Sequence, residues 1–247
     1  MSSLLPPVPA GRERIGLDVD VLVGRVPSRH DLDASRPAVL AALAAAGIDR
    51  ALTGSLRGGL FDARSGNDEV LADPSPPLIG VGTVDLRDAL TAETELVRLA
   101  GAGVRVVRLF CAEQGAEPDF PGLRHVAALT AAHDLTVLTS GDVRRYWRPF
   151  AGRGARVCFL DVHAYHLADF VLLARDEPGF VASTRLLNAP DSIERVVAEV
   201  GAHHLAYGSG LPRFDVTPSA LRLRLADLTS QDWATVSHGT ARSWLTT

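Results

Sequence analysis

Short runs of branched apolar residues alternate along the chain with Ala- and Leu-rich stretches whose apolar positions recur every three to four residues. The first run, Ile15-Gly-Leu-Asp-Val-Asp-Val-Leu-Val-Gly24, is apolar on both faces, the pattern of a strand covered on both sides in a parallel sheet. Two acids interrupt it. Asp18 and Asp20 stand two apart, which on a regular strand turns both side chains to one face. Carboxylates in so apolar a strand need partners or a role.

A helix is predicted over 36–46, closed by Gly47. A second strand follows over 48–54, then a polar loop over 55–67 and a helix from Asn67. Pro74, Ser75, Pro76 and Pro77 punctuate before a third strand over 78–84. Further strands are predicted over 104–110, 135–139, 156–161, 180–184 and 204–207. Helices are predicted between them and at the end, over 91–100, 123–133, 143–152, 166–175, 191–200 with Asp191 as N-cap, 218–228 and 230–245. Eight strand–helix alternations predict an α/β fold, a (β/α)8 TIM barrel, as one domain over 15–247 behind a proline-stiffened tail over 1–14. A doubly wound open sheet is the alternative, and the glycine-rich first turn it would need is absent.

Composition narrows the function. With 47% hydrophobic and 22% charged residues the chain is globular, and a net charge of −4 gives no basic surface for nucleic acid. Charges interrupt every apolar run before membrane-spanning length, and the first residues lack a basic start and apolar middle, so a cytoplasmic location is expected. All 25 basic residues are arginine. The absence of lysine removes Schiff-base, phosphate-loop and lysine-base chemistry, along with any carboxylated lysine bridging two metals. No Gly-x-Gly-x-x-Gly turn, Walker loop or Gly-x-Ser-x-Gly elbow follows a strand. Cys111 and Cys158 have no zinc-knuckle spacing and are expected as buried free thiols.

With the strands placed, the order of segments resembles the amidohydrolase-related family of metal-dependent hydrolases and decarboxylases. Leu17-Asp-Val-Asp-Val-Leu-Val-Gly24 resembles its first strand, Ala46-Gly-Ile-Asp-Arg50 with Gly66-Asn67 its second unit, and Leu205-Ala-Tyr-Gly-Ser-Gly-Leu-Pro212 its eighth strand. The resemblance implies a metal site built from a His-x-His pair on strand one, histidines after strands five and six, and an aspartate after strand eight. Those positions fall here on Asp20 and Leu22, on Thr139, on Asp161 or His163, and on Gly210. A catalytic zinc site needs about three good protein ligands, so no metal and no cofactor are expected.

The C-terminal ends of barrel strands carry the working residues. His163 is the candidate for proton transfer because histidine titrates near neutrality, with Asp161 and Asp20 as its acidic partners. Arg25, Arg57, Arg108 and Arg185 are candidates to grip an anionic substrate through bidentate bonds. Three functions follow: a hydrolase- or lyase-type enzyme on a small anionic substrate using acid–base chemistry without the usual metal; an inactive relative binding a small molecule or partner; or a metal-dependent hydrolase with unusual ligands. The expected partner is a small-molecule substrate or ligand, not nucleic acid or membrane. On assembly the sequence is silent beyond the expectation of a homodimer.

Overall fold

The computed structural model describes residues 7–72 and 76–246; residues 1–6 of the expected tail, with Pro74 and Ser75, lie outside the described residues. The strands are β1 (Asp18–Val23), β2 (Ala51–Ser55), β3 (Leu78–Gly80), β4 (Gly82–Thr83), β5 (Val106–Leu109), β6 (Thr136–Thr139), β7 (Arg156–Phe159), β8 (Phe180–Ser183) and β9 (Leu205–Ala206). Every paired neighbour runs parallel. β3 and β4 are halves of one barrel strand parted at Val81, whose N–H still donates to Thr53 O at 3.0 Å. The last strand returns to the first. Val19 N–H donates to Tyr207 O at 2.9 Å, Gly210 N–H to Asp20 O at 3.0 Å and Leu22 N–H to Leu211 O at 2.9 Å. The ring therefore closes as a (β/α)8 barrel and is not an open sheet.

Period-two alternation sorts the strand residues into two cores. Val107, Leu109, Val137, Val157 and Phe180 pack outward against the helices. Val106, Leu138, Cys158, Val181 and Ala206 form an inner core that Trp244 from the C-terminal helix also joins. β1 breaks the rule. Asp18 pairs with Ala51 but Val21 with Thr53, so β1 carries one extra residue, a bulge. Leu17 and Val19 join the inner core and Val21 the outer one. Asp20 turns into the barrel mouth, while Asp18 stays at the seam between β1 and β9. The expectation that both acids share a face is corrected: the bulge supplies the half-turn that separates them.

The segment 55–67, expected as loop, holds two helices, Leu56–Leu60 and Ala63–Leu71. Its polar composition reads as loop, yet Ser55 Oγ accepts from Gly58 N at 3.0 Å and Asp62 Oδ1 from Ser65 N at 3.2 Å, capping both helices. The glycines serve a close helix crossing. A Cβ on Gly66 would stand 2.2 Å from Gly58 N and 2.3 Å from Gly58 Cα. Backbone cannot yield as a side chain does, so Gly66→Ala is expected to destabilise by about 1–3 kcal/mol, read by denaturant unfolding. Asn67 then completes the broken third strand: its Oδ1 accepts from Thr83 N at 2.8 Å and its Nδ2 donates to Thr83 O at 2.8 Å.

Three helix expectations change, the first being the helix expected over 143–152, which is confined to Val143–Tyr146. The region over 230–245 is not one helix but Ser230–Ala234, a π-helical turn Thr235–Gly239 and Thr240–Ser243. Asp191 occupies the N-cap position of the helix Ser192–Val200, but with φ 53° and no capping bond from its side chain. Among the described residues no helix is long and apolar enough to cross a membrane.

Candidate functional site

Asp20 lies 1% exposed at the C-terminal end of β1. Arg108, the inward residue of β5 two places beyond Val106, donates from Nη1 to Asp20 Oδ1 at 2.6 Å. Arg185, in the turn after β8, brings Nε to 3.1 Å from Asp20 Oδ2 without hydrogen-bond alignment. Burial pushes the Asp20 carboxyl upward, but the Arg108 guanidinium, with Arg185 behind it, outweighs that and holds it below the usual carboxylate range. Asp20 is thus held as an anion between two guanidinium groups.

Arg185 reaches further, pairing through Nη2 with Asp161 Oδ1. The other Asp161 oxygen accepts from Gly141 N at 2.9 Å, which fixes the carboxylate on the loop after β7. The Arg185 guanidinium also stacks on Phe214, 4.7 Å from the ring centroid. Gly210 makes room for this stack: with φ 77°, a Cβ there would lie 2.5 Å from Arg185 Cδ and 2.8 Å from Phe214 Cδ2. Across the mouth, Arg213 Nη1 donates to Glu113 Oε1 at 2.8 Å, joining the loop after β9 to the one after β5 on the opposite side of the ring. These groups surround a cavity of about 240 Å³ with Ser140 at its edge.

Of the residues singled out in the sequence, the structure brings Asp20, Arg108, Asp161 and Arg185 together around this cavity. It places the other three elsewhere. His163 is half-buried on the loop after β7, its ring stacked on Tyr165 at 4.8 Å and outside the cavity lining. Arg25 and Arg57 line a separate recess with Phe61, and Arg57 pairs with Glu69. Arg213 and Phe214 escaped the sequence reading; their one signal is their place in the loop directly after the eighth barrel strand. Cys111 and Cys158 are buried, and burial pushes both thiols up, Cys111 to about 11.

The fold and its charged mouth define a class: a single-barrel α/β protein whose strand ends present arginines and carboxylates. Solved structures share that barrel fold. A 5-carboxyvanillate decarboxylase from Sphingomonas paucimobilis matches at TM-score 0.70 and 15% identity, over 94% of this chain and 99% of that one. A dihydroxybenzoic acid decarboxylase from Polaromonas, solved with bound manganese and the inhibitor 2-nitroresorcinol, matches at 0.70 and 11%, over 94% and 97%. An uncharacterized TIM-barrel protein from Bordetella bronchiseptica matches at 0.74 and 15%, over 93% and 97%. No family model matches the sequence, and no curated protein does either.

The residues present do not fit the metal that the resemblance implies. Asp20 is committed to two guanidinium groups. Leu22 belongs to an apolar cluster with Leu56 and Phe110. The Thr139 hydroxyl lies 3.5 Å from Cys111 Sγ and donates to Ser140 O. Gly210 has no side chain. Among the described residues no group of three His, Cys, Asp or Glu is arranged to hold a metal ion.

Proposed function

We propose that the barrel mouth takes a small carboxylate-bearing substrate and acts on it as a lyase or hydrolase by acid–base chemistry, without a divalent metal. The observation that carries this reading is the unequal hold on the mouth arginines. Arg108 and Arg185 are 5% and 11% exposed in their side chains and share the buried Asp20. Arg213 is 33% exposed and pairs only with Glu113, itself 18% exposed. A pair open to solvent contributes about 0–1 kcal/mol, so an incoming carboxylate can draw Arg213 from Glu113 far more cheaply than it can disturb the inner pair. Arg213 is the first grip, and Phe214 offers an apolar wall beside it. Asp161, on the cavity lining and partly open, is the group placed to give or take a proton. Asp20 holds Arg108 and Arg185 in position. His163 has no place in this reading unless the loop after β7 moves.

The neighbouring decarboxylases act on aromatic carboxylates by their names, which favours the lyase form. Titration calorimetry with benzoate and acetate in EDTA, paired with a turnover screen of small carboxylates, tests it. Saturable binding is expected, weakened about tenfold or more in Arg213→Gln as one charge-assisted contact is lost. Asp161→Asn is expected to keep binding and lose turnover. Failure of the wild type to bind any small carboxylate sinks the reading. Binding with no turnover selects a second reading, a ligand-binding barrel, which the internal pairing of all three mouth arginines favours.

A further inference from the structure

We infer that the Arg185 guanidinium is a tethered cation, seated between Asp20 and Asp161 in a place that would otherwise recruit a divalent metal ion. One guanidinium touches both carboxylates, Nε beside Asp20 Oδ2 at 3.1 Å and Nη2 paired with Asp161 Oδ1. These acids come from β1 and from the loop after β7, and the fold holds them across a single positive group. Asp20 Oδ2 is buried and accepts no hydrogen bond among the described residues, and Arg185 Nε stands 3.1 Å from it. Without that charge the two carboxylates would keep only the Arg108 guanidinium on Asp20, one positive charge for two negative ones, and an under-compensated pair takes up a proton or a cation.

The seat is built for arginine and not merely filled by it. Gly210 carries no Cβ to obstruct Arg185 Cδ, Phe214 covers the guanidinium plane, and Leu160 O accepts from Nη2 at 3.4 Å. The backbone of Arg185 is tied as well, its carbonyl accepting from Arg222 Nη1 at 3.1 Å. Arginine stays protonated at every working pH, so unlike a bound ion this cation cannot be exchanged or chelated away. This seat rests on the metal-free part of the proposed reading and on none of its substrate chemistry, so loss of carboxylate binding or turnover leaves it standing.

The test is metal binding. Wild type, Arg185→Met and Arg185→Met/Asp20→Asn are stripped with EDTA, titrated with MnCl2 by calorimetry and analysed for bound metal; oxygen donors suit Mn2+. Wild type is expected to hold no stoichiometric Mn2+. Arg185→Met, which keeps an apolar stem and removes the guanidinium, is expected to gain at least about tenfold in Mn2+ affinity. The Asp20→Asn change in that background is expected to remove the gain. Mn2+ should raise the melting temperature of Arg185→Met and leave that of the wild type unchanged. Saturable Mn2+ in the wild type that Asp20→Asn abolishes overturns the inference, as does a folded Arg185→Met that binds no better than wild type. Should Arg185→Met unfold in metal-free buffer, recovery of its circular dichroism on adding Mn2+ supports the inference, and no recovery overturns it.

Discussion

Asp20→Ala is expected to lower the unfolding free energy by about 3–5 kcal/mol, the cost of stranding a buried charge. Arg108 bears the loss. Its side chain is 5% exposed and Asp20 is its ion-pair partner; among the described residues the Phe110 ring, 5.3 Å away, is the other group against the charge. Arg185 suffers less because Asp161 still holds it. The same reasoning predicts partial recovery in Asp20→Ala/Arg108→Met, where the stranded guanidinium is gone and an apolar stem of similar length fills its place. Guanidinium unfolding followed by circular dichroism measures both variants. Asp20→Ala within 1 kcal/mol of wild type would mean that water reaches the mouth freely, and the picture of Asp20 as a buried clamp would fail with it.

What could be read before the fold was in hand follows from which signals are local. The barrel was legible because each apolar run needs cover on both faces and each is followed by a helical repeat, a constraint that every unit states again. Arg108 and Arg185 were legible as mouth residues because each sits at or just beyond the C-terminal end of a strand. Arg57 satisfies the same rule and lies elsewhere, since the helix Leu56–Leu60 starts at once and carries it to the recess beside Glu69. That helix was hidden in a polar stretch, and its glycines serve a crossing with Gly66 that no local pattern encodes. The β1 bulge was hidden in the same way. A one-residue insertion is visible only against the partner strand, and it decides which of the two acids enters the mouth.

The acid that the bulge keeps out has its own consequence for stability against pH. Asp18 is fully buried at the β1–β9 seam, where Oδ1 accepts from Asp20 N at 2.9 Å and Ser209 N at 3.0 Å. These N–H groups fall where the bulge interrupts regular pairing, so the side chain stands in for a missing backbone acceptor. Its Oδ2 has no partner. Burial pushes the carboxyl up to about 7, against the partial relief of its bond with Ser209. The unfolded chain loses this proton near pH 4 and the folded one near pH 7, so between them the native state holds one proton more. Stability from Asp18 is whole below pH 4 and is lost as pH rises to 7, on the order of 4 kcal/mol in total at roughly 1.4 kcal/mol per pH unit. Asp20, held low, acts in the other direction and only as pH drops below about 4. His204 and His238, both held below their ordinary value chiefly by burial, gain stability as pH rises from 5 to 7 and partly mask the Asp18 slope. The difference between wild type and Asp18→Asn isolates it, because the amide keeps the Oδ1 acceptor and cannot ionise. Asp18→Asn is expected to be the less stable protein at pH 5, with an unpaired amide N–H in place of Oδ2, and to gain on wild type up to about pH 7, with the difference levelling off by pH 8. Parallel stability curves for the two proteins across that range would show that Asp18 is ionised throughout, and that the seam is held by a charge and not by an acid.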